Sequence, residues 1–122
     1  MNTKTTRAAI VFLLAVVCTL SVGISQGKTA TLTGHLIDQM CGGGVKDAAK
    51  AAEHTKECAL MDHCASSGFG IFANGKYIKF DVEGSKKAKA LVEKTKKDKD
   101  IVVVAEGTLS GDTLAVASLK ER

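Results

Sequence analysis

The alternation of apolar and polar positions gives the first elements. In "TATLTGHLIDQMC", Leu32, Gly34, Leu36 and Asp38 fall on one face and Thr31, Thr33, His35 and Ile37 on the other. Threonine and branched residues at period two predict a strand. Gly42–Gly44 breaks it. "VKDAAKAAEHTKECALMDHCASS" then runs without proline or internal glycine, rich in Ala, Lys and Glu, and predicts a helical segment. Thr55 is placed to cap a second helical piece within it, and Gly68 ends it.

Two hairpins follow by turn chemistry. "FGIFANGKYIKFDV" sets two apolar runs around Asn74-Gly75, which accept the positive φ angles of a tight turn. "DIVVVAEGTLSGDTLAVASL" turns at Ser110-Gly111-Asp112. Between them "GSKKAKALVEKTKKD" predicts a helix, with Ser85 as its cap and Ala88, Leu91, Val92 and Thr95 on one face. Its lysines form the solvated side.

The order is strand, helical insert, strand, strand, helix, strand, strand. Five strands with a helix between the third and fourth predict an α+β, mainly β domain: a small five-stranded OB-like barrel. The insert lies between strands 1 and 2. Gly34, Gly70 and Gly107 fall inside strands, where a barrel needs bulges or close approaches. Ile101 to Ala105 is apolar on both faces, and the insert is expected to cover its outer side.

The N-terminal segment reads differently. Lys4 and Arg7 precede an uncharged apolar run from Ala8 to Val22, the pattern of a secretory signal peptide, with small residues at Ser25 and Gly27 for cleavage after Gly27. Residues 1–27 are thus expected to be a cleaved signal and residues 28–122 a single domain, exported to the periplasm or the exterior, with no stable membrane span after cleavage. Removing Lys4 and Arg7 lowers Lys+Arg from 17 to 15 against 13 Asp+Glu, a net charge of about +2. That small excess selects no acidic polymer as partner. Tyr77 and Lys79 share one face of the third strand, but without tryptophan this makes a poor stacking platform, so no nucleic-acid partner is expected. No phosphate loop and no Ser/His/Asp arrangement signals catalysis, so a non-enzymatic module is expected.

Cys18 lies in the signal, leaving Cys41, Cys58 and Cys64 in an oxidising compartment. In a continuous helix His54, Cys58, Met61 and Ala65 fall within about 40° of one stripe. That stripe is either the buried face of an amphipathic helix or the start of a soft metal site. In such a helix Cys58 and Cys64 stand about 9 Å apart along the axis, beyond the roughly 7 Å Cα limit of a disulfide. A bridge from Cys41 to Cys58 or to Cys64 is therefore expected, stapling a small core and leaving one thiol for a ligand or a disulfide-linked dimer. The rival set is metal: Cys41, Cys58 and Cys64 with His54 or His63, taking zinc or copper. Thiol–disulfide exchange is the third reading. His35 is expected to be exposed. A buried Asp38 would need partners, with amides of Gly42–Gly44 within reach.

These residues carry a resemblance. "TLTGHLIDQMC", "HTKECALMDHCASSGFGIF" and the closing "VVVAEGTLSGDTLAVASL" resemble a family of small exported bacterial proteins. That family shares a D-x-x-C opening and an H-T-K-x-C-A-L-M-x-x-C-A-x-S-G centre. The marked positions here are Asp38, Cys41, His54, Cys58, Cys64, Ser67 and Gly68. The resemblance implies an exported OB-like domain and brings no activity, substrate or cofactor. It raises the weight of a metal or haem-related role for His54, because core packing alone does not ask for a histidine there.

Overall fold

A computed structural model describes residues 27–122. The expected signal segment, residues 1–26, lies outside the described residues; Gly27, its last expected position, does not. The elements are β1 (Lys28–Asp38), α1 (Gln39–Gly42), α2 (Ala48–Ala52), α3 (Lys56–Ala59), α4 (Asp62–Ser66), β2 (Phe69–Ala73), β3 (Lys76–Phe80), α5 (Val82–Lys94), β4 (Val102–Ser110) and β5 (Thr113–Glu121). The domain is α+β and mainly sheet. All five strands form one sheet in the order β1-β2-β3-β5-β4, and β4 pairs back onto β1. Every neighbouring pair is antiparallel except β3 and β5, which run parallel through Lys79–Thr113 and Phe80–Leu114.

Alternation puts Leu36, Ile71, Ile78, Phe80, Val103, Ala105, Leu114 and Val116 on the inside, around fully buried Phe69. Helix α5 adds Ala88 and Val92 to this core. Its cap is Asp81, whose Oδ1 accepts from the Gly84 and Val116 amides at 2.9 and 3.2 Å, rather than the expected Ser85. Ser85 instead accepts the Phe69 amide at 2.9 Å, tying the helix to β2. The first hairpin turns as expected, with Asn74 and Gly75 at φ 52° and 75°. Gly107 sits at a register shift in β4, where a Cβ would lie 2.0 Å from the Ala115 carbonyl oxygen.

Three expectations are corrected here. The insert is more broken than expected: besides the break before Thr55 it breaks again at Leu60–Met61, into pieces of four or five residues. It covers the outer side of β1 and β2, not β4: Ala51 packs on Ile37 and Phe72, with Cys41, Val45 and Tyr77 around them. His35 is not left free. Its Nε2 meets Asp100 Oδ1 at 2.9 Å and its side chain is mostly covered. No helix among the described residues is long and apolar enough to cross a membrane.

Candidate metal centre

The site grows from the end of β1. Asp38 closes the strand and caps α1, its Oδ1 accepting the Cys41 amide at 3.0 Å. The partner is the amide of Cys41, not those of Gly42–Gly44 as expected. Capping turns the chain sharply and leaves the carboxylate wholly buried beneath Cys41. Asp47 caps α2 in the same way through the Lys50 amide at 2.8 Å, holding Ala51 on the sheet. The chain leaves α2 at His54, whose amide donates to the Ala51 carbonyl at 3.3 Å. Thr55 then caps α3, as expected, by accepting the Cys58 amide at 3.1 Å.

Lys56 fixes α3 from outside. Its amide donates to the Asp98 carbonyl at 2.7 Å, and its ammonium donates to the Thr95 carbonyl at 2.8 Å. Helix α4 is tied to α1. The Gln39 amide donates to the Gly68 carbonyl at 2.8 Å and the Met40 amide to Ser67 Oγ at 3.0 Å, while that hydroxyl donates to the Cys64 carbonyl at 2.6 Å. Gly68 sits at φ 94°, a conformation that favours glycine, and lets the chain leave α4 into β2.

Tyr77 forms the floor. Its hydroxyl donates to the Ile37 carbonyl at 3.1 Å, and its ring lies where a Cβ on Gly42 or Gly70 would collide with it, at 2.2 and 2.6 Å. Both glycines are therefore required by close approach. Burial pushes the Tyr77 hydroxyl strongly up, with the nearby Asp38 charge adding to it.

These ties bring five side chains together. One ligand atom each from Cys41, His54 and Cys58 lies within 4.8 Å of the others, and so do ligand atoms of Asp38, Cys41 and Cys64. Cys41 belongs to both groups. His54 Nε2 stands 2.9 Å from Asp38 Oδ2, yet the two atoms are not aligned as a hydrogen bond, and both are buried with no other partner. The contact is thus an electrostatic pairing with directional capacity left over. Burial pushes the Asp38 carboxyl up, but His54 and the Cys41 amide outweigh it and hold the carboxyl below its usual range. The thiols respond oppositely. Burial, then the Asp38 charge, pushes Cys41 up to about 12 and raises Cys64 as well. Neutral thiols at pH 7 are poor nucleophiles, which disfavours disulfide exchange in the resting protein.

Of the expected site residues, Cys41, His54, Cys58 and Cys64 converge, whereas His63 is exposed and belongs to neither group. Met61 is also not part of a buried stripe, being 46% exposed. The expected disulfide is not formed: Cys41, Cys58 and Cys64 are all free thiols. The geometric case for keeping Cys58 and Cys64 apart assumed an unbroken helix, and the break at Leu60–Met61 removes it. Asp38 as the partner of His54, and Tyr77 as the floor, are the residues that sequence reasoning missed. The spacing of Asp38 three positions before Cys41 is itself an N-cap pattern and was the available signal for the first. Comparison with protein-family models, curated proteins and solved structures gave no match for this chain.

Proposed function

We propose that this domain binds one thiophilic transition-metal ion, zinc foremost and Cu(I) as the alternative, through Cys41, His54 and Cys58. The observation that carries the reading is the convergence of these three ligand atoms within 4.8 Å beside a buried carboxylate. Two sulfurs and an imidazole suit zinc or Cu(I) better than calcium or magnesium. The orphaned capacity of His54 Nε2 and Asp38 Oδ2 fits the same reading, because metal-binding histidines are commonly oriented by a carboxylate. A cation also supplies what the buried Asp38 charge denies the thiols, a reason to ionise, so binding releases protons.

The scaffold reading is an OB-type barrel. It is supported by the closed order β1-β2-β3-β5-β4, the parallel β3–β5 pair and α5 between β3 and β4. The apolar run with its basic lead supports export, so the metal would be met outside the cytosol.

Reduced protein titrated with Zn²⁺, and separately with Cu(I) against a competing chelator, tests the proposal by native mass spectrometry. One equivalent of zinc or copper should bind to the wild type and be lost in Cys58→Ser and His54→Ala. Failure of both metals to bind at micromolar concentration overturns it.

A further inference from the structure

The two ligand groups overlap in a single residue, and that overlap has a chemical meaning. Cys41 lies within 4.8 Å of His54 and Cys58 on one side and of Asp38 and Cys64 on the other. One sulfur cannot serve both groups once a bond to Cys64 has formed. We propose that Cys41 is the pivot of a redox-controlled metal site, ligating metal with His54 and Cys58 when reduced and joined to Cys64 by a disulfide when oxidised. This rests on the metal reading above.

Cys64 is the partner of choice because α1 and α4 are clamped together. The contacts of Gln39 with Gly68, of Met40 with Ser67, and of Ser67 with the Cys64 carbonyl hold the two cysteine-bearing turns side by side. Cys58 is held by a separate tether, through Thr55 and Lys56 to the segment after α5. A bond between Cys41 and Cys64 therefore joins two turns already fixed to each other. A bond between Cys41 and Cys58 links turns anchored at different places.

The oxidant class is a hydroperoxide. The Cys41 thiolate attacks one peroxide oxygen, the O–O bond breaks, and hydroxide leaves, giving a sulfenic acid at Cys41. The Cys64 sulfur then attacks Cys41 sulfur, its proton goes to the departing hydroxyl, and water leaves as the S–S bond forms. One thiolate, one thiol and one peroxide thus yield one disulfide, one water and one hydroxide. The metal loses one of its two sulfur ligands and dissociates, while Cys58 stays reduced.

The test uses zinc-loaded protein, with loading measured by native mass spectrometry before any oxidant is added. A protein that fails to load zinc shows at this step that the site reading itself is wrong. Hydrogen peroxide is then added with a chromogenic chelator present, and the product is mapped by proteolysis. Wild type should lose its zinc as a Cys41–Cys64 peptide appears. Cys64→Ser and Cys64→Ala should load zinc like wild type, retain their folded circular dichroism, and lose the rapid release. Cys58→Ser should load no zinc and should form the Cys41–Cys64 bond far more slowly than wild type, because no cation then keeps Cys41 as the attacking thiolate. A Cys41–Cys58 bond in the wild type, or equally rapid release from both Cys64 variants, overturns the proposal.

Discussion

The five-stranded sheet and its insert are held by different physics. The sheet encloses a cluster of fourteen buried apolar residues drawn from all five strands, Ile101, α5 and, from the insert, Ala59 of α3. Apart from Ala59, the insert rests on a smaller cluster of three, Ile37, Ala51 and Phe72, and is folded into pieces too short to be stable as isolated helices. What keeps those pieces in place is a set of directed contacts: the caps at Asp38, Asp47 and Thr55, the Ser67 clamp, and the Tyr77 floor. A core of the first kind tolerates local change and fails globally. An assembly of the second kind fails locally, and a metal ion is well suited to finish it.

That contrast can be broken from the sheet side with the largest effect. Phe69→Ala should cost about 3–5 kcal/mol in global stability, read as a lower denaturation midpoint by circular dichroism. From the insert side, zinc at a hundredfold excess over its dissociation constant should stabilise the protein by about 2.7 kcal/mol. Amide exchange should slow most from Gln39 to Ser66. Uniform protection over the sheet with none in the insert would contradict the contrast. Tyr77→Phe keeps the ring and strips its hydrogen bond, so about 1 kcal/mol should be lost, with exchange rising first in α1 and α2. Thr55→Ala should cost a similar or smaller amount, roughly 0.5–1 kcal/mol, and should weaken metal binding because the Cys58 amide loses its cap.

Near neutral pH the smallest effect of all should come from protons. Asp38 is held below its ordinary value of 3.8, so its contribution to stability is complete above that pH and is lost as pH falls through its folded value. Asp38→Asn should flatten this acid limb. Cys41 is raised from 9.0 to about 12, so metal-free protein should be fully stable below pH 9 and lose stability as pH rises from there. Melting curves of reduced, metal-free wild type and Cys41→Ser between pH 8 and 11 would show whether the alkaline loss disappears with the thiol.

The same division decides what the sequence revealed. Strand alternation, Asn74-Gly75 and the apolar face of α5 are local signals, and the elements appear close to where they place them. Helix α5, though, begins at Val82, ahead of Ser85, and ends at Lys94, before Thr95. In the insert Thr55 marks one break, but Ala, Lys and Glu favour helix at nearly every other position, and propensity is silent about tertiary ties. The breaks after Ala52 and at Leu60–Met61 accompany contacts to distant residues, such as the Lys56 amide to the Asp98 carbonyl. The cysteines could be named from sequence, but their meeting point could not, since it depends on those breaks. His54 looked like the edge of a stripe, whereas it turns inward to a carboxylate sixteen positions earlier in the chain.

Lys56 has one more consequence. Its backbone opens α3 while its ammonium donates to the Glu93 and Thr95 carbonyls at the exit of α5, and Thr55 bridges to Lys99. The connection from Thr95 to Asp100 is exposed over most of its length and looks like ordinary surface loop. It is in fact a measured spacer, its length set by the need to meet α3. Adding residues there would leave the strand pairing intact and carry Cys58 away from Cys41, so this loop should resist the insertions that the exposed Asn74-Gly75 turn would accept.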